Sequence, residues 1–444
     1  MEKVNMNISV REFGKFNLVV VGGGCAGVFA AVRAARMGLK VAIIEKSNCF
    51  GGVATSGLVN VWHSLYDIYG DKQIIGGLTD EMEQRLISKG YAELENTRHS
   101  GIRFDPNAMK WALDKLAVEN GIKVFFHTFY STMILKDRFI DGIVVGNKDG
   151  LGVIYSDFFI DATGDGDLCR DTGIESYTSD TIQPPSPCCF LSEEIKGDLG
   201  KLVLEHGKEF GLDDDWGWSG KIPGLDNINF RADFHIFGKM CNVASELTEA
   251  EIEGREKLYA LLELLKKYDD PKHALVSICS QIGIRETTHY KTVFKANERD
   301  LLIGKAYENT VMKGSYRIDI HHKNDNGITF KYLDGRTETI YGKENKTVWG
   351  NWREAEGITG EPAAFYQIPF EILVQEKIDN LIPVGRMLNA DEGSFGALRV
   401  MVNLNQLGEA AGTAAGIAVS QGKSISEICA SEVISKLISG GSLL

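Results

Sequence analysis

The sequence predicts an α/β protein with a parallel sheet, on two observations. Residues 17–45 read as a buried strand, a glycine turn, an alanine-rich helix and a second buried strand that ends at Glu45. Two later apolar segments, over 158–161 and 378–384, each stop in a turn that contains glycine. A strand, a helix and a further strand in this order are typical of a parallel β-α-β unit.

The first turn carries the pattern Gly22-x-Gly24-x-x-Gly27. In a Rossmann-like unit the first glycine permits the tight turn, the second lets the backbone approach a pyrophosphate, and the third lets the helix pack closely on the strand. Glycines alone also suit a tight turn without a ligand. Here the preceding strand, the following helix and a downstream acid are all present, which favours a dinucleotide site.

The helix that follows this turn supplies the other half of the prediction. It opens near Cys25 and Ala26, so a pyrophosphate would lie at its positive end. Glu45 ends the second strand about twenty residues further on, where a carboxylate can accept hydrogen bonds from ribose hydroxyls. We therefore predict that the chain binds a dinucleotide that contains ADP.

A second glycine-rich loop follows Glu45 directly, from Gly51 to Gly57. A nicotinamide-binding domain would normally continue into another helix and strand, whereas a second loop suggests backbone amides placed along an extended flavin cofactor. A flexible surface loop is the alternative. The cofactor contacts predicted in this region are Lys46, Gly51, Gly52, Val53, Ala54 and Thr55.

Two later segments extend the predicted cofactor site. The strand that ends at Asp161 runs into a small-residue turn, and Gly385-Arg386 stops the strand over 378–384. A long helix rich in Ala and Gly follows, and its positive end could stabilise a reduced flavin; a plain core helix is the alternative. The cofactor contacts predicted here are Ala162, Thr163, Gly164, Asp167, Gly385, Arg386, Gly396, Arg399 and Val400.

Short strands predicted over 131–155 form an antiparallel meander, which argues for FAD over NAD by analogy. Thr79 is predicted to cap one helix, and Pro106 is predicted to begin the next. We expect a discontinuous FAD-binding domain over 17–175 and 366–424, and a substrate or cap domain over 176–365. Residues 1–16 and 425–444 are predicted terminal segments.

In this order the motifs resemble those of the FAD-dependent oxidoreductase family that is distantly related to the flavoproteins of fumarate reductase and succinate dehydrogenase and to the flavin subunits of heterodisulfide reductase. The resemblance runs from about residue 17 to about residue 422. It implies a glutathione-reductase type of FAD-binding domain, with a parallel sheet and a β-meander, beside an α+β substrate domain. Its further marks are Gly283-Ile-Arg285-Glu286, Asp319-Ile-His321, Ile368-Pro369-Phe370 and Gly396-x-Leu398-Arg399-Val400-Met401.

Two departures from these relatives shape the prediction. Some of them attach FAD through a histidine in the loop after the glutamate strand, but residues 51–56 contain none, so we expect non-covalent FAD. Others carry iron–sulfur clusters, which need grouped thiolates. The eight cysteines of this chain contain no Cys-x-x-Cys pair, so we predict neither a cluster nor another metal.

Asp319 and His321 are the predicted proton-handling pair. They lie on one face of a strand because side chains alternate. His321 would act as acid or base and bind substrate, while Asp319 would hold its tautomer. A core histidine that satisfies a hydrogen bond is the alternative, but the resemblance places an Asp-x-His pattern near the flavin. His322 would point to the opposite face.

Three further side chains are candidates for the site. Arg285 and Arg386 suit the capture of a substrate carboxylate or of cofactor phosphates, although an arginine is often a surface ion-pair partner. His63 follows the second glycine loop and could face the flavin ring or be a core histidine.

Composition limits the class of partner. A formal net charge of −13 argues against nucleic acid and anionic membranes. Residues 1–16 lack the apolar core of a secretion signal, and scattered cysteines fit a reducing compartment, so a cytoplasmic protein is expected.

We expect an FAD-dependent oxidoreductase that transfers a hydride between a small organic substrate and flavin N5. Oxygen, a quinone or a carrier protein would be the electron acceptor, and the oligomeric state is left open, a homo-oligomer included. The alternatives are a flavin-bound electron-transfer or scaffold subunit of a larger complex, and a flavin-dependent transformation without net redox change.

Overall fold

The computed structural model describes residues 7–95, 101–180, 182–322 and 327–444. Its helices, in chain order, are α1 (Cys25–Arg36), α2 (Gly77–Ile87), α3 (Pro106–Glu119), α4 (Asp167–Thr172), α5 (Leu199–His206), α6 (Ala244–Tyr268), α7 (Glu298–Leu302), α8 (Trp352–Ala355), α9 (Glu392–Leu398), α10 (Met401–Gln421) and α11 (Ala430–Ser439). Among these residues, no helix combines the length and the apolar character that crossing a bilayer requires.

The strands, in chain order, are β1 (Arg11–Val21), β2 (Val41–Ile44), β3 (Val61–Trp62), β4 (Ala92–Leu94), β5 (Ile102–Phe104), β6 (Lys123–Phe125), β7 (Phe129–Lys136), β8 (Phe139–Asn147), β9 (Gly150–Asp161), β10 (Ser176–Tyr177), β11 (Cys188–Leu191), β12 (Trp218–Ile222), β13 (Leu225–Ala232), β14 (Leu275–Ile278), β15 (His289–Tyr290), β16 (Thr310–Gly314), β17 (Ile318–His321), β18 (Ile328–Lys331), β19 (Arg336–Tyr341), β20 (Lys346–Asn351), β21 (Tyr366–Pro369) and β22 (Leu381–Pro383).

The central sheet has the order β6-β2-β1-β9-β8-β7, and β22 pairs with the end of β9. The strands β6, β2, β1, β9 and β22 run parallel, whereas β7 and β8 are antiparallel. Leu18 and Val19 of β1 face opposite hydrophobic cores, so both faces of the sheet are buried. Burial on both sides explains the unbroken apolar runs of the parallel strands. The predicted α/β class and the antiparallel meander are confirmed.

The small-residue helix α10 packs backbone to backbone against α1. A Cβ atom on Gly408 would lie 2.2 Å from the Ala26 carbonyl oxygen, and one on Gly412 would lie 2.1 Å from that of Ala30. The glycines are therefore required for this approach. The alanines and glycines of α10 hold α1 in place behind the glycine turn.

Two boundaries differ from those predicted. β1 begins at Arg11 because the residues before 17 continue the pairing with β9, and Phe16 is buried. Thr79 does not cap α2. The helix begins at Gly77, and the carboxylate of Glu409 accepts from the Leu78 amide at 2.8 Å. The cap therefore comes from α10, far away in the sequence.

The middle of the chain builds further sheets. The order β12-β13-β11-β14 forms one antiparallel sheet, which shares a core with α5 and α6, and β17-β18-β19-β20 forms another. Met312, Ile318 and Trp352 nevertheless belong to the core around α1 and α10. A separate substrate or cap domain over 176–365 therefore remains a proposal, and such a domain would share the core around α1 and α10.

Candidate functional site

A cavity of about 990 Å³ opens beyond the carboxyl ends of the parallel strands. The glycine turns after β1, β2, β9 and β22 line one part of it. Side chains from β12, β17 and β18 line another. Ligands of open α/β sheets bind at this edge.

The turn after β1 leaves backbone amides facing the cavity. Gly22 has φ +105°, and a Cβ atom on Gly27 would lie 2.0 Å from the Gly22 oxygen, so both positions require glycine. A Cβ atom on Gly24 would meet nothing within 4 Å. Helix α1 has no side-chain cap, and Cys25 and Ala26 of its first turn line the cavity. Uncapped amides at a helix start suit a pyrophosphate.

Glu45 joins the two glycine loops. Its carboxylate accepts from the Gly23 amide at 2.6 Å and from the Ser47 amide at 2.7 Å. A carboxylate has about four acceptor positions, so it retains capacity for ribose hydroxyls. Glu45 and Lys46 both line the cavity.

The second loop is held against the first. The Gly51 amide donates to the Gly23 oxygen at 2.8 Å. Gly51, Gly52 and Val53 line the cavity. Ala54 and Thr55 are buried outside that lining, and the Thr55 hydroxyl donates to the Phe50 oxygen at 2.5 Å.

The turn after β9 is organised by Asp161. Its carboxylate accepts from the Thr163 hydroxyl at 2.7 Å and from the Leu168 amide at 2.8 Å. This leaves Ala162, Thr163 and Gly164 on the cavity. Asp167 does not line the cavity and pairs with Arg170 at 3.0 Å.

The C-terminal segment lines the cavity beside the glycine turns. Gly385 has φ +122° and open space before it, and Arg386 pairs with Asp165 at 2.5 Å. The buried Nε of Arg386 has no partner among the described residues. Val400 lines the cavity as the residue before α10, which also begins without a side-chain cap. Gly396 instead packs against the backbone of Asp319.

A chain of buried side chains lies behind β17. His321 Nδ1 is 2.8 Å from His235 Nε2, and His235 Nδ1 is 3.1 Å from Asp215 Oδ1. The His235 backbone amide also donates to Asp215 at 2.5 Å. On the cavity side, His321 Nε2 is 3.4 Å from Asp319 Oδ1. The structure thus brings Asp319 and His321 together on one face, as predicted, but the residue that hydrogen-bonds with the His321 ring is His235 and not Asp319, which was predicted to hold its tautomer.

These hydrogen bonds select one tautomer of His321 when His235 is neutral. A carboxylate accepts only, so His235 donates from Nδ1 to Asp215 and accepts at Nε2. His321 then donates from Nδ1, which leaves a lone pair on Nε2. Burial, reinforced by the positive charge of Arg285, holds the pKa of His321 well below its usual range. His321 is therefore a neutral base at neutral pH.

Asp319 connects His321 to other cavity residues. Its Oδ2 accepts from the Tyr316 hydroxyl at 2.9 Å and lies 3.3 Å from Arg399 Nη2. Its Oδ1 accepts no hydrogen bond within the described part of the chain. Arg399, which was predicted to contact the cofactor, thus lies beside the proton-handling pair.

His63 and Arg285 also line the cavity. The ring of His63 lies on that of Tyr316 with centroids 3.9 Å apart. Burial and the charge of Arg317 lower the pKa of His63 to about 3, so this imidazole is neutral as well. Arg285 Nη1 donates to the Pro184 oxygen at 2.6 Å and to Ser186 Oγ at 2.7 Å.

Several members of this site were not predicted from the sequence. They are Asp215, His235, Arg103, Tyr316, Arg317 and the tryptophans at 216 and 218. The Pro223-Gly224 pair predicts a tight turn, and the hairpin around that turn brings Asp215 and His235 together.

The site combines two uncapped helix starts, a glutamate after the second strand and an extended cavity lined by glycines. This combination is typical of a flavoprotein that binds a dinucleotide. A model of the FAD-dependent oxidoreductase family matches residues 17–437. The chain belongs to this family, and its cofactor is FAD.

Similarity to individual proteins is weaker. The chain is 24% identical over 192 residues to digeranylgeranylglycerophospholipid reductase 2 of Methanothermobacter thermautotrophicus, which covers 41% of this chain and 47% of that protein. It is 28% identical over 102 residues to dihydrolipoyl dehydrogenase of Trypanosoma brucei brucei, which covers 21% of each. These matches span under half the length of either relative.

Solved structures resemble the chain over most of its length at low identity. A geranylgeranyl bacteriochlorophyll reductase-like protein of Thermoplasma acidophilum has a TM-score of 0.46 at 13% identity, over 95% of this chain and 82% of that one. The p-nitrophenol 4-monooxygenase of Pseudomonas putida has a TM-score of 0.43 at 9% identity, over 96% and 88%.

Proposed function

We propose that the protein oxidises a small organic substrate by hydride transfer to non-covalently bound FAD, with His321 as the base that accepts the substrate's proton. The observation that carries this proposal is the lone pair of His321 Nε2. It lies in the cavity that also holds the cofactor-binding loops, and its tautomer is fixed by His235 and Asp215.

The residues present fit FAD. The amides of Cys25 and Ala26 would hold the pyrophosphate, Glu45 the ribose, and Gly51 to Val53 the extended cofactor beyond it. Arg386 has an unpartnered buried nitrogen for a cofactor oxygen. When bound, FAD supplies the acceptor for the hydride.

The protein's own chemistry is then proton transfer. As the hydride leaves the substrate carbon, the proton on the attached oxygen or nitrogen passes to His321 Nε2, and a C=O or C=N bond forms. The imidazolium that results is 3.4 Å from the Asp319 carboxylate, which stabilises its charge. His63 is held neutral and would orient the substrate by contact rather than by charge.

The first experiment is the visible spectrum of the purified protein before and after acid precipitation. A flavin band that is released into the supernatant and identified as FAD supports the cofactor part of the proposal. A yellow pellet would contradict non-covalent binding. A colourless protein that cannot be reconstituted with FAD would overturn the proposal.

The second experiment is anaerobic reduction of the holoprotein by a panel of alcohols, amines and hydroxy acids. H321Q should bleach about 10²–10⁴-fold more slowly with an active compound. H322Q is the matched control, since His322 directly follows β17 and hydrogen-bonds with Thr329 Oγ1, 2.8 Å away, outside the cavity lining. Equal slowing of both variants would remove His321 from this role.

Reoxidation of the same samples by oxygen, a quinone or a carrier protein identifies the electron acceptor. A cytoplasmic location is part of the proposal and rests on composition alone. Turnover of a metabolite without any acceptor would replace the oxidoreductase proposal with a non-redox reaction. Copurification with an iron–sulfur protein, without turnover by the chain alone, would favour an electron-transfer subunit.

A further inference from the structure

The arginines of the cavity are not fully matched by carboxylates. Six arginines line it, and the described residues provide ion-pair partners for four of them. The pairs are Arg103–Glu95, Arg336–Asp334, Arg386–Asp165 and Arg399–Asp319. In the described part of the chain, Arg285 and Arg317 have no such partner. The protein as a whole is acidic, with a net charge of −13.

Arg285 is anchored through one end of its guanidinium. Nη1 donates to two neutral oxygens, those of Pro184 and Ser186. Its Nε and Nη2 donate no hydrogen bond to a described residue. Burial and the nearby charge of Arg399 lower the pKa of Arg285 to about 10. A partly buried cation in this situation is stabilised by an anion.

Arg317 is held by stacking alone. Its guanidinium carbon is 4.0 Å from the centroid of Phe330 and 5.5 Å from that of Tyr316. Its buried Nε donates no hydrogen bond to any described residue. Stacking fixes the plane of the guanidinium and leaves its edge for a planar acceptor.

These two arginines lie near the proton-handling side chains. The Arg317 guanidinium lies over the ring of Tyr316, whose hydroxyl donates to Asp319. The charge of Asp319 acts on both Arg285 and Arg317. None of these interactions involves the start of α1, where the pyrophosphate is expected. The unmatched positive charge is therefore in the substrate part of the cavity.

We propose that the substrate is an organic acid, and that its carboxylate binds through the unpaired guanidinium groups of Arg285 and Arg317. This inference rests on the oxidoreductase function proposed above and adds the substrate class to it. A planar carboxylate matches the donor geometry of a guanidinium. It also offsets the positive charge that opposes protonation of His321.

The test is a titration of the FAD-loaded protein with acids, each compared with its neutral amide, and observed as a change in the flavin absorption spectrum. The pairs are acetate with acetamide, benzoate with benzamide, and phenylacetate with phenylacetamide. At least one acid should bind tenfold or more tightly than its amide. R285Q and R317Q should each weaken the binding of that acid at least tenfold, and the FAD content of both variants should be unchanged. R336Q is the control, because Arg336 already has a carboxylate partner.

Three results would overturn the inference. The first is equal binding of every acid and its amide by a protein that holds FAD, in which case the oxidoreductase proposal still stands. The second is loss of FAD from R285Q or R317Q, which would assign those arginines to the cofactor. The third is tighter binding of phenyl phosphate than of any carboxylate. Failure of the wild-type protein to hold FAD would instead sink the proposed function itself.

Discussion

His235 Nε2 lies 2.8 Å from His321 Nδ1, so the imidazole that faces the cavity is oriented by a second imidazole that does not. Asp215, on the far side of His235, accepts from both its ring and its backbone amide. The three side chains are buried. When His235 is neutral, its Nδ1–H donates to Asp215 and its Nε2 accepts from His321 Nδ1–H, and in that pattern the lone pair of His321 lies on Nε2, away from His235.

Replacing His235 should therefore impair the reaction without impairing substrate binding. In H235F the acceptor for the His321 Nδ1–H is lost, and the other tautomer becomes accessible. We expect kcat to fall about tenfold to hundredfold, below the 10²–10⁴-fold range of a direct acid or base, with KM changed less than threefold. Steady-state kinetics across pH measures both, and the pH profile should shift for H235F.

The control for H235F is H206F. His206 stacks on Tyr268 at 3.8 Å, outside the cavity lining. H235N retains a polar side chain and should recover part of the lost rate. If H235F and H206F change kcat by the same factor and KM by the same factor, the effect is a general structural one and not the loss of a residue that positions His321.

Gly24 offers a way to separate cofactor binding from folding. It has φ −61°, and a Cβ atom there would meet nothing within 4 Å. The side chain of G24V would thus enter the space before the start of α1 without straining the backbone. We expect the FAD content to fall at least tenfold while the apoprotein keeps its circular dichroism spectrum. G146A, whose Cβ atom would make an ordinary 3.4 Å contact, should retain FAD. Full FAD content in G24V would exclude a pyrophosphate at this helix start.

Residue types and spacing were sufficient for the cofactor loops. Period-two alternation also placed Asp319 and His321 on one side of β17. These features are local, so the sequence contains them. The same holds for Asp105, which caps α3 by accepting from the Asn107 amide at 2.9 Å.

The partners of His321 depend on pairing between distant segments. Trp218 pairs with Ala232 across the β12–β13 hairpin, and the same register continued three residues further sets Asp215 opposite His235. A hairpin centred on the Pro223-Gly224 turn was predictable from those two residues. Its position behind β17 was not, because packing between sheets has no local signal.

Long-range contacts also explain why Thr79 does not cap α2 and why Arg399 lies beside Asp319. Thr79 suits an N-cap by residue type, but Glu409 reaches the Leu78 amide from another helix. A tertiary acceptor thus overrides a local propensity. Arg399 caps the end of α9, and that helix packs on the Asp319 backbone through Gly396, so the Arg399 guanidinium lies 3.3 Å from the Asp319 carboxylate. This helix-to-strand contact has no local signal in the sequence.

The contact between α10 and α1 should be sensitive to one methyl group. In G412A the added Cβ atom would lie 2.1 Å from the Ala30 carbonyl oxygen, which is main chain and cannot rotate away. The helices must separate, and overpacking of this kind costs about 1–3 kcal/mol. Chemical denaturation of the apoprotein should give a lower midpoint for G412A, whereas G146A should change the free energy of unfolding by less than about 0.5 kcal/mol. An unchanged midpoint in G412A would show that α10 can move without cost.

Glu83 should make stability depend on pH. It is buried on α2, its Oε1 has no hydrogen-bond partner among the described residues, and burial raises its pKa from 4.5 to about 8. Between these values the folded state binds a proton that the unfolded state does not, so the free energy of unfolding falls as pH rises from about 4.5 to about 8.

E83Q removes this dependence because Gln cannot ionise, and at pH 8 it should be more stable than the wild type by about 1–3 kcal/mol, since each unit of pKa shift corresponds to about 1.4 kcal/mol. The matched control is Glu81 on the same helix, whose pKa is lowered by its hydrogen bonds to Arg36 and by Arg85. E81Q should lose less than about 1 kcal/mol, because these ion pairs are partly exposed. Denaturation at pH 5 and at pH 8 measures the change in the free energy of unfolding of each variant, and its sign. An E83Q variant that is less stable than the wild type at pH 8 would mean that Glu83 is charged and paired in the folded protein.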